Sequence, residues 1–520
     1  MYNRRDMSDE TLAEMLPHVM GTQHPDNVSV VPFGDSPFVT RFMEEDEVLY
    51  NIGTLDIREL MIDYERKKGD VTPLWDWIHK CHSCLWERAI GTDFHFTPRI
   101  PNGDTERDDP YFWQSMGIFI NALLVMNTTG LSGIAFSEFI VPDVRDGATV
   151  AKTEKHILQR YSLQRAQYAE YGDNTSFPFQ DDFFVQGIPL LETVETLIDP
   201  EPIWSGLIEA RQRLIGRETF VQRSFIARSD PALKAGMLAA MLAARVNLAK
   251  GRMYEHTHGV RIPQILGIGS AAFRGGLLPE TQTIDRILAT YPGIATVTVQ
   301  SAFRYDFPRE RVIQSVRDLY RKIRSGWMER HTIADPPLED LQQAGSAASV
   351  LKERYEASFR EMMPLLSRII PDIPSHRERY QDISVSGESR RVGGFPAVRA
   401  IKFGAACYTA GIPPGVLGLR GWFALERSQQ DLITRLCPEF PFWIAQELSW
   451  LNEDNLLAFR EEYDLSAVAE DVEAARTLAS EWAADRGHRE ITSRLPLALQ
   501  REESLARTVG EAAARRGFLG

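Results

Sequence analysis

Two acidic side chains follow two neighbouring predicted strands, and together they could hold a metal ion. Glu192 comes directly after the apolar run FFVQGIPLL, and Asp230 comes shortly after TFVQRSFIA. If both strands belong to one parallel sheet, their carboxyl ends meet at one edge, where the carboxylates could share a divalent cation. Mg²⁺ is typically held by one or two carboxylates together with substrate oxygens. Each acid could instead be a helix N-cap or a first-turn acid favoured by the helix dipole, and the residues alone leave both interpretations open.

Arginines follow several of the same strands, but arginine is abundant here, so its position matters more than its presence. Of the 58 basic residues, 48 are arginine. Converging guanidinium groups would clamp a multiply charged anion, whereas the ordinary alternative is a set of solvated surface charges. The candidates near strand ends are Arg99 in FHFTPRIPN, Arg274 in the glycine-rich turn FRGGLLPE, Arg304 in SAFRYDF, and Arg390, Arg391 and Arg399 in GESRRVGGFPAVRAI.

A histidine near the start of the chain lies in the segment MGTQHPDN, residues 20–27. Proline, aspartate and asparagine are typical of turns, so the stretch alone favours an ordinary surface turn that contains His24. A catalytic loop is the alternative interpretation.

Two other patterns resemble metal sites but lack the required context. CHSC has the spacing of a zinc ligand pair, with His79 nearby, but a structural zinc site needs four ligands, and Cys407 and Cys437 stand singly and far away. His256 and His258 precede the predicted strand PQILGIG, so they would lie at the wrong end of a barrel for catalysis.

The predicted strands are mostly continuous apolar runs, which is typical of strands buried on both faces of a parallel sheet. Segments long enough for returning helices, such as 234–250 and 309–325, separate them, so we expect a (β/α)₈ barrel, with a doubly wound open sheet as the alternative. The barrel would occupy about residues 55–400 of a single 1–520 domain, with a helical insertion at 335–381 and a helical extension at about 401–520. The predicted strands are 59–65, 94–100, 133–142, 183–191, 219–227, 263–269, 295–303 and 382–387.

Composition excludes several functional classes. The 520 residues carry a formal net charge of −14, which argues against nucleic acid or an anionic membrane as a partner. Four cysteines do not make a disulfide framework, and the first residues show no apolar signal segment. We expect a cytoplasmic protein without a membrane span.

Taken in order, several motifs resemble those of the archaeal-type, short form of phosphoenolpyruvate carboxylase. They are MGTQHPDN, MIDYE, FTPRIPN, IPLLETVETL, LGIGSAAFRGG, VQSAFRYDFP and RAI, which run from about residue 20 to residue 420. The resemblance implies a TIM-barrel enzyme that joins phosphoenolpyruvate and bicarbonate into oxaloacetate and phosphate and so feeds the tricarboxylic acid cycle. It further implies Mg²⁺, for which Mn²⁺ can substitute, and a homotetramer.

Residue roles carry over where motifs match those of the longer form of the family. TQHP resembles TAHP and makes His24 catalytic, while LETVETL and ARSDPALKAG resemble FETIDDL and YSDSAKDAG and make Glu192 and Asp230 metal ligands. FRGG resembles the end of FHGRGGSIGRGG and gives Arg274 a catalytic role. Arg399 in VRAI is implied to bind substrate, with Arg99 and Arg390 as looser matches.

Two positions depart from that pattern. Leu266 and Ile268 stand where the longer form has a histidine and an arginine, so part of the anion site must come from elsewhere, and Arg304 is the candidate. The lysine of the YSDS motif falls one place later here, as Lys234, and its role stays open. The last residues, ARRGFLG, lack the terminal asparagine of the longer form, which implies weak or altered feedback by aspartate.

Two other functions are considered beside this one. An aldolase-like lyase acting on 2-oxo acids would also need a metal and arginines, but it would need neither TQHP nor bicarbonate. A non-catalytic relative is the other alternative, and the presence of His24, Glu192 and Asp230 argues against it.

Overall fold

The computed structural model describes residues 5–63, 89–108, 110–129, 136–170, 182–378 and 391–520. Among these residues, eight parallel strands form a closed barrel in chain order, because β1 pairs with both β2 and β8. The strands are β1 (Val19–Gly21), β2 (Glu59–Asp63), β3 (His95–Arg99), β4 (Glu138–Val141), β5 (Gln186–Leu191), β6 (Ser224–Ala227), β7 (Gln264–Gly267) and β8 (Thr296–Val299). The prediction of a (β/α)₈ barrel is confirmed, and the open-sheet alternative is wrong.

The first strand is the main correction to the expected topology. Met20 of β1 lies in register with Glu59 of β2 and Thr298 of β8, so the barrel begins at Val19, before the expected start near residue 55. The expected strand 382–387 lies outside the described residues, and the barrel closes without it. The strand expected at 295–303 ends at Val299, since Ser301–Tyr305 is helical.

Helices surround the barrel and fill the connections between strands, as the apolar faces of a parallel sheet require. Up to the end of β8 they are α1 (Asp9–Met15), α2 (Glu44–Leu49), α3 (Pro110–Ser115), α4 (Ile118–Thr129), α5 (Gly147–Glu170), α6 (Val194–Ile198), α7 (Glu201–Ile215), α8 (Ser229–Ala235), α9 (Met237–His258) and α10 (Thr281–Thr290). After β8 come α11 (Ser301–Tyr305), α12 (Arg309–Met328) and the long α13 (Leu338–Ile369), which matches the predicted helical insertion.

The remaining described elements are also helical, apart from a small hairpin of Arg391–Val392 with Phe395–Pro396. These helices are α14 (Ala400–Ala410), α15 (Arg427–Leu436), α16 (Phe440–Leu448), α17 (Glu453–Arg460), α18 (Ser466–Leu478), α19 (Arg486–Thr492), α20 (Leu495–Gln500) and α21 (Ala506–Arg516). Short 3₁₀ turns occur at Arg41–Met43, Ala272–Arg274, Arg330–Thr332, Ile370–Asp372, Pro414–Val416 and Leu419–Ala424, and a π turn at Tyr50–Thr54. In the described part of the chain, no helix has both the length and the apolar character that crossing a bilayer requires.

Side chains fill the barrel, so it is a packed core rather than a pore. Apolar residues from six of the strands form one interior cluster: Met20, Met61, Ile140, Ile188, Leu190, Phe225, Ala227 and Ile265. Towards the amino ends of the strands, Arg223 donates to Glu59 and to Glu138, with both N–O distances at 2.8 Å. This buried ion-pair network closes the lower end of the barrel, which leaves the carboxyl ends of the strands open for chemistry.

Candidate functional site

A cavity of about 110 Å³ opens at the carboxyl end of the barrel. Its wall is built from residues that follow different strands, together with the start of α14, so separate segments of the chain converge there. Six of the eight predicted site residues contribute to this wall: His24, Arg99, Glu192, Asp230, Arg274 and Arg399. The convergence is what a barrel active site requires.

The MGTQHPDN segment is the loop that leaves β1. The start of α11 holds the backbone of this loop. The Ser301 hydroxyl donates to the His24 carbonyl at 2.7 Å, and the Ala302 N–H donates to Asp26 Oδ1 at 2.7 Å. The half-buried His24 ring pairs through Nδ1 with Thr22 Oγ1 at 3.1 Å. The loop therefore presents the imidazole at the cavity while its backbone is held by β8 and α11.

The local structure excludes a capping role for Glu192, whereas Asp230 is a first-turn acid that also reaches the cavity. Glu192 does not cap α6, because Thr193 does so with a capping box that includes Thr196. Asp230 lies in the first turn of α8, whose N-cap Arg228 makes no side-chain cap bond. Both carboxylates also line the cavity, which supports the shared-cation interpretation.

The electrostatics of Glu192 are those of a carboxylate pressed against another acid. Burial raises its pKa above the usual range, and the nearby Asp230 carboxylate raises it further. Arg99 and Lys234 act in the opposite direction, which gives Lys234 an electrostatic influence on Glu192 without a place in the cavity wall. Glu192 Oε2 also accepts a hydrogen bond of 2.8 Å from the Asp143 N–H.

Arg99 is held rigidly at the end of β3. Its guanidinium donates through Nε to Asp63 Oδ1 at 3.2 Å and through Nη2 to Asp63 Oδ2 at 2.9 Å, and both side chains are buried. The Asp63 N–H in turn donates to Gln23 Oε1 of the His24 loop. Arg99 is thus pre-oriented, and it is coupled to the loop that carries the histidine.

Arg274 lies in the cavity wall, but protein groups already engage its guanidinium. Nη1 forms an ion pair of 3.5 Å with Asp26 and donates to the Gly520 carbonyl, while Nη2 donates to Gln300. Nε donates to Ser229 at 3.2 Å. Gly276 in the same turn has a φ of 86°, and a side chain there would strike Trp443, so the turn needs glycine.

Arg304, the candidate for the missing part of the anion site, does not belong to the cavity wall. Its guanidinium donates to Asn51 Oδ1 at 2.7 Å and to the Thr22 carbonyl. The helical turn Ser301–Tyr305 directs it there, so Arg304 holds the His24 loop and does not line the cavity. Arg390 lies outside the described residues.

Sequence reasoning missed several residues that organise the site. Asp63 lay within the quoted motif MIDYE, and Asp26 lay within MGTQHPDN, where it was interpreted only as a turn residue. Gln300, Arg228 and Lys402 also form part of the wall. Asp63 and Gln300 lie in predicted strands, Arg228 follows one and Lys402 lies near Arg399, so their positions are the signal that could have identified them.

The described residues offer one other group of potential metal ligands, at the opposite end of the barrel. Asp9, Glu255 and His331 lie close together there. Arg330 Nη2, however, donates to Asp9 at 3.0 Å and to Glu255 at 2.9 Å, so the cluster is an ion-pair network that ties α1 to α9. His256 and His258 end α9 at this same lower end, as expected, and CHSC lies outside the described residues.

Comparison with known proteins decides the family. A family model described as phosphoenolpyruvate carboxylase matches residues 16–520. The chain belongs to the phosphoenolpyruvate carboxylase family. A phosphoenolpyruvate carboxylase from Pyrococcus horikoshii is 31% identical over 425 residues, which cover 81% of this chain and 85% of that protein.

Bacterial and other archaeal relatives agree with this assignment. A phosphoenolpyruvate carboxylase from Leuconostoc mesenteroides is 29% identical over 448 residues, or 85% of each chain. One from Methanothermobacter thermautotrophicus is 27% identical over 521 residues, covering 97% of this chain and 100% of that protein. The chain matches these relatives over most of their length, which confirms the resemblance to the short, archaeal-type form.

Family membership also decides between the three functions that the sequence left open. The chain is a carboxy-lyase that forms oxaloacetate from phosphoenolpyruvate. Neither the aldolase-like lyase nor the non-catalytic relative receives support.

Proposed function

We propose that the cavity at the carboxyl end of the barrel is where this phosphoenolpyruvate carboxylase works, with His24, Glu192, Asp230 and Arg99 as its principal side chains. The observation that carries the proposal is that the carboxyl ends of four separate strands and the segments after them bring an imidazole, two carboxylates and a guanidinium to one cavity. The chemistry begins when bicarbonate attacks the phosphoryl group, which gives carboxyphosphate and the enolate of pyruvate. Carboxyphosphate then yields phosphate and CO₂, and the enolate carbon captures CO₂ to form oxaloacetate.

Glu192 and Asp230 fit a divalent cation. Both supply hard oxygen ligands, and burial, followed by the negative charge of Asp230, raises the pKa of Glu192, so a bound cation would stabilise the charged form of the pair. We assign Mg²⁺ to this pair, with Mn²⁺ able to substitute. When bound, the cation supplies Lewis-acid polarisation of the phosphoryl oxygens and neutralises charge near the enolate.

The arginines position the anionic reactants. Arg99, locked by Asp63, presents a fixed guanidinium, and Arg399 adds a second at the start of α14. Arg390 and Arg274 are proposed to act on the same anions. Positioning of this kind supplies most of the catalysis in phosphoryl transfer, since the two reacting anions repel each other in water.

His24 is the proton-transfer group. An imidazole has an unperturbed pKa of about 6.5, so near neutral pH it can accept the proton released as carboxyphosphate breaks down. The loop that carries it also forms part of the cavity wall, and exclusion of water from this cavity would protect the enolate from protonation.

Oxygen labelling tests this route. With bicarbonate labelled in its oxygens, attack on the phosphoryl group places one labelled oxygen in the released phosphate and two in the new carboxylate of oxaloacetate. Phosphate that carries no label would contradict the route, because CO₂ would then have entered without passing through carboxyphosphate.

Assembly and location complete the proposal. We propose a homotetramer in the cytoplasm that supplies oxaloacetate to the tricarboxylic acid cycle, on the basis of the family resemblance and the net charge of −14. Sedimentation equilibrium of the purified protein measures the assembly state directly.

A further inference from the structure

The anion site of this enzyme lacks an arginine at the position where the longer form of the family has one. Ile268 stands there, and its neighbour Leu266 replaces the histidine. Arg304, the expected substitute, holds the His24 loop, and protein acceptors engage Arg274. Neither arginine therefore replaces the guanidinium that is missing at Ile268.

Arg228 is placed to fill this gap. It directly follows β6, and its N–H donates to the carbonyl of Gly267 at 3.0 Å, so it lies beside Ile268 on the neighbouring strand. It belongs to the cavity wall. Arg228 therefore lies next to Ile268, the position at which the longer form has its arginine, at the ends of the paired strands β6 and β7.

The bonding of Arg228 leaves two nitrogens unused. The side chain is fully buried, and its Nε donates to the Tyr291 hydroxyl at 2.8 Å. Neither Nη1 nor Nη2 has a hydrogen-bond acceptor among the described residues. Burying a guanidinium without an acceptor is energetically unfavourable, so we expect such a group to meet an anion.

The surroundings of Tyr291 strengthen the argument. Burial raises the pKa of this phenol, and the positive charges of Arg228 and Arg245 act against that rise. Arg245 Nη1 likewise has no acceptor in the described part of the chain. Two guanidinium groups therefore act on one phenol hydroxyl, and neither has a carboxylate bonded to its free nitrogens in the described part of the chain.

We propose that Arg228 binds an oxyanion of the reactants, in place of the arginine that Ile268 lacks. The forked pair of Nη1 and Nη2 matches the two oxygens of bicarbonate, of the phosphoryl group or of a carboxylate. The inference rests on the proposed function of the cavity, and it adds a substrate-binding residue that neither the motifs nor their spacing indicated.

Steady-state kinetics of Arg228→Gln test the proposal, with Tyr291→Phe as the matched control. Loss of a charged contact should raise the KM for bicarbonate or for phosphoenolpyruvate about ten- to a hundredfold. The substrate whose KM rises identifies the oxyanion that Arg228 holds. Tyr291→Phe removes only the Nε bond and leaves the guanidinium, so each KM should stay within about threefold of wild type. Arg228→Lys keeps the charge but not the fork and should fall between the two.

Thermal unfolding without substrates distinguishes binding from a structural role. Removing a buried charge that lacks an anion should leave the melting temperature of Arg228→Gln unchanged or higher. The proposal would be wrong if Arg228→Gln melted at a lower temperature and Tyr291→Phe lost as much activity as Arg228→Gln does. Arg228 would then only hold Tyr291 in place. Unchanged KM values for both substrates in an active Arg228→Gln would also overturn the proposal, whereas an inactive wild-type enzyme would instead refute the proposed function.

Discussion

Replacing His24 by asparagine separates catalysis from folding. The backbone of the loop is held by Ser301 and Ala302, which bond to the His24 carbonyl and to Asp26, and the substitution leaves these bonds in place. The ring itself contributes a contact to Thr22 Oγ1 at 3.1 Å, which an asparagine side chain can reproduce in part. The variant should therefore fold as the wild type does.

The expected effect of His24→Asn on the reaction barrier is larger than its expected effect on stability, so the two can be distinguished. Loss of the Thr22 contact costs about 1 kcal/mol of stability. Loss of a general acid or base typically slows a reaction about 10²- to 10⁴-fold, which is about 2.7–5.5 kcal/mol of barrier. Oxaloacetate formation should fall by that factor, while phosphate release should persist in part, because bicarbonate can still attack the phosphoryl group.

A coupled assay of oxaloacetate, run beside a phosphate assay and a thermal melt, measures all three quantities. His331→Asn is the control, because that histidine lies at the opposite end of the barrel and bonds to Asp9, and its turnover should stay within about twofold of wild type. Near wild-type oxaloacetate formation by His24→Asn would refute the catalytic assignment. A melting temperature that collapses together with activity would show instead that His24 is structural.

Four further predictions concern the metal, the pH dependence, the bracing of Arg274 and feedback. Glu192→Ala and Asp230→Ala should each raise the Mg²⁺ or Mn²⁺ concentration required for half-maximal rate, since one carboxylate alone holds Mg²⁺ poorly; unchanged metal dependence in either variant removes that residue from the site. The folded pKa of Glu192 lies above its unfolded value. Between these two values the metal-free fold therefore binds a proton that the unfolded chain does not, and its stability should fall as pH rises. The rise in melting temperature caused by Mg²⁺ should accordingly grow with pH in the wild type. In Glu192→Gln, which has no carboxyl at this position, that growth with pH should be absent. Differential scanning fluorimetry measures both. Glu447 accepts from the Phe273 N–H at 2.8 Å and from the Tyr408 hydroxyl at 2.6 Å, so Glu447→Gln should displace the turn that carries Arg274 and lower kcat about ten- to a hundredfold; an unchanged kcat would show that this brace is dispensable. Aspartate titrated at subsaturating phosphoenolpyruvate, with malate beside it, should inhibit weakly, because the Gly520 carbonyl already engages Arg274 and the side chains of Phe518 and Leu519 cannot form a hydrogen bond; potent inhibition that survives removal of the last residues would place the effector site elsewhere.

The sequence predicted the parts of the site that follow long apolar strands. Glu192 and Asp230 were identified because the apolar runs FFVQGIPLL and TFVQRSFIA predict buried strands. A parallel barrel brings together the residues that follow its strands. The first strand was missed because Val19–Gly21 has only three residues, too few to show a period. Resemblance of TQHP to a family motif, rather than any local pattern, assigned His24.

The direction in which an arginine side chain points could not be predicted from the sequence. Arg304 follows β8 as expected, but it lies in the helical turn Ser301–Tyr305, where its guanidinium donates to Thr22 and Asn51. Arg228 attracted no notice among 48 arginines, because only tertiary structure shows which guanidinium lacks an acceptor. Side-chain pairing in a barrel mouth joins residues distant in sequence, such as Asp63 with Arg99, and spacing along the chain does not record it.

The most direct test of the central claim is oxaloacetate formation by the purified protein from phosphoenolpyruvate, measured with and without bicarbonate and a divalent cation. We predict oxaloacetate and phosphate in equal amounts, only when phosphoenolpyruvate, bicarbonate and Mg²⁺ or Mn²⁺ are all present. Formation of oxaloacetate without bicarbonate, or cleavage of a 2-oxo acid in its place, would contradict the assignment of this cavity to phosphoenolpyruvate carboxylation.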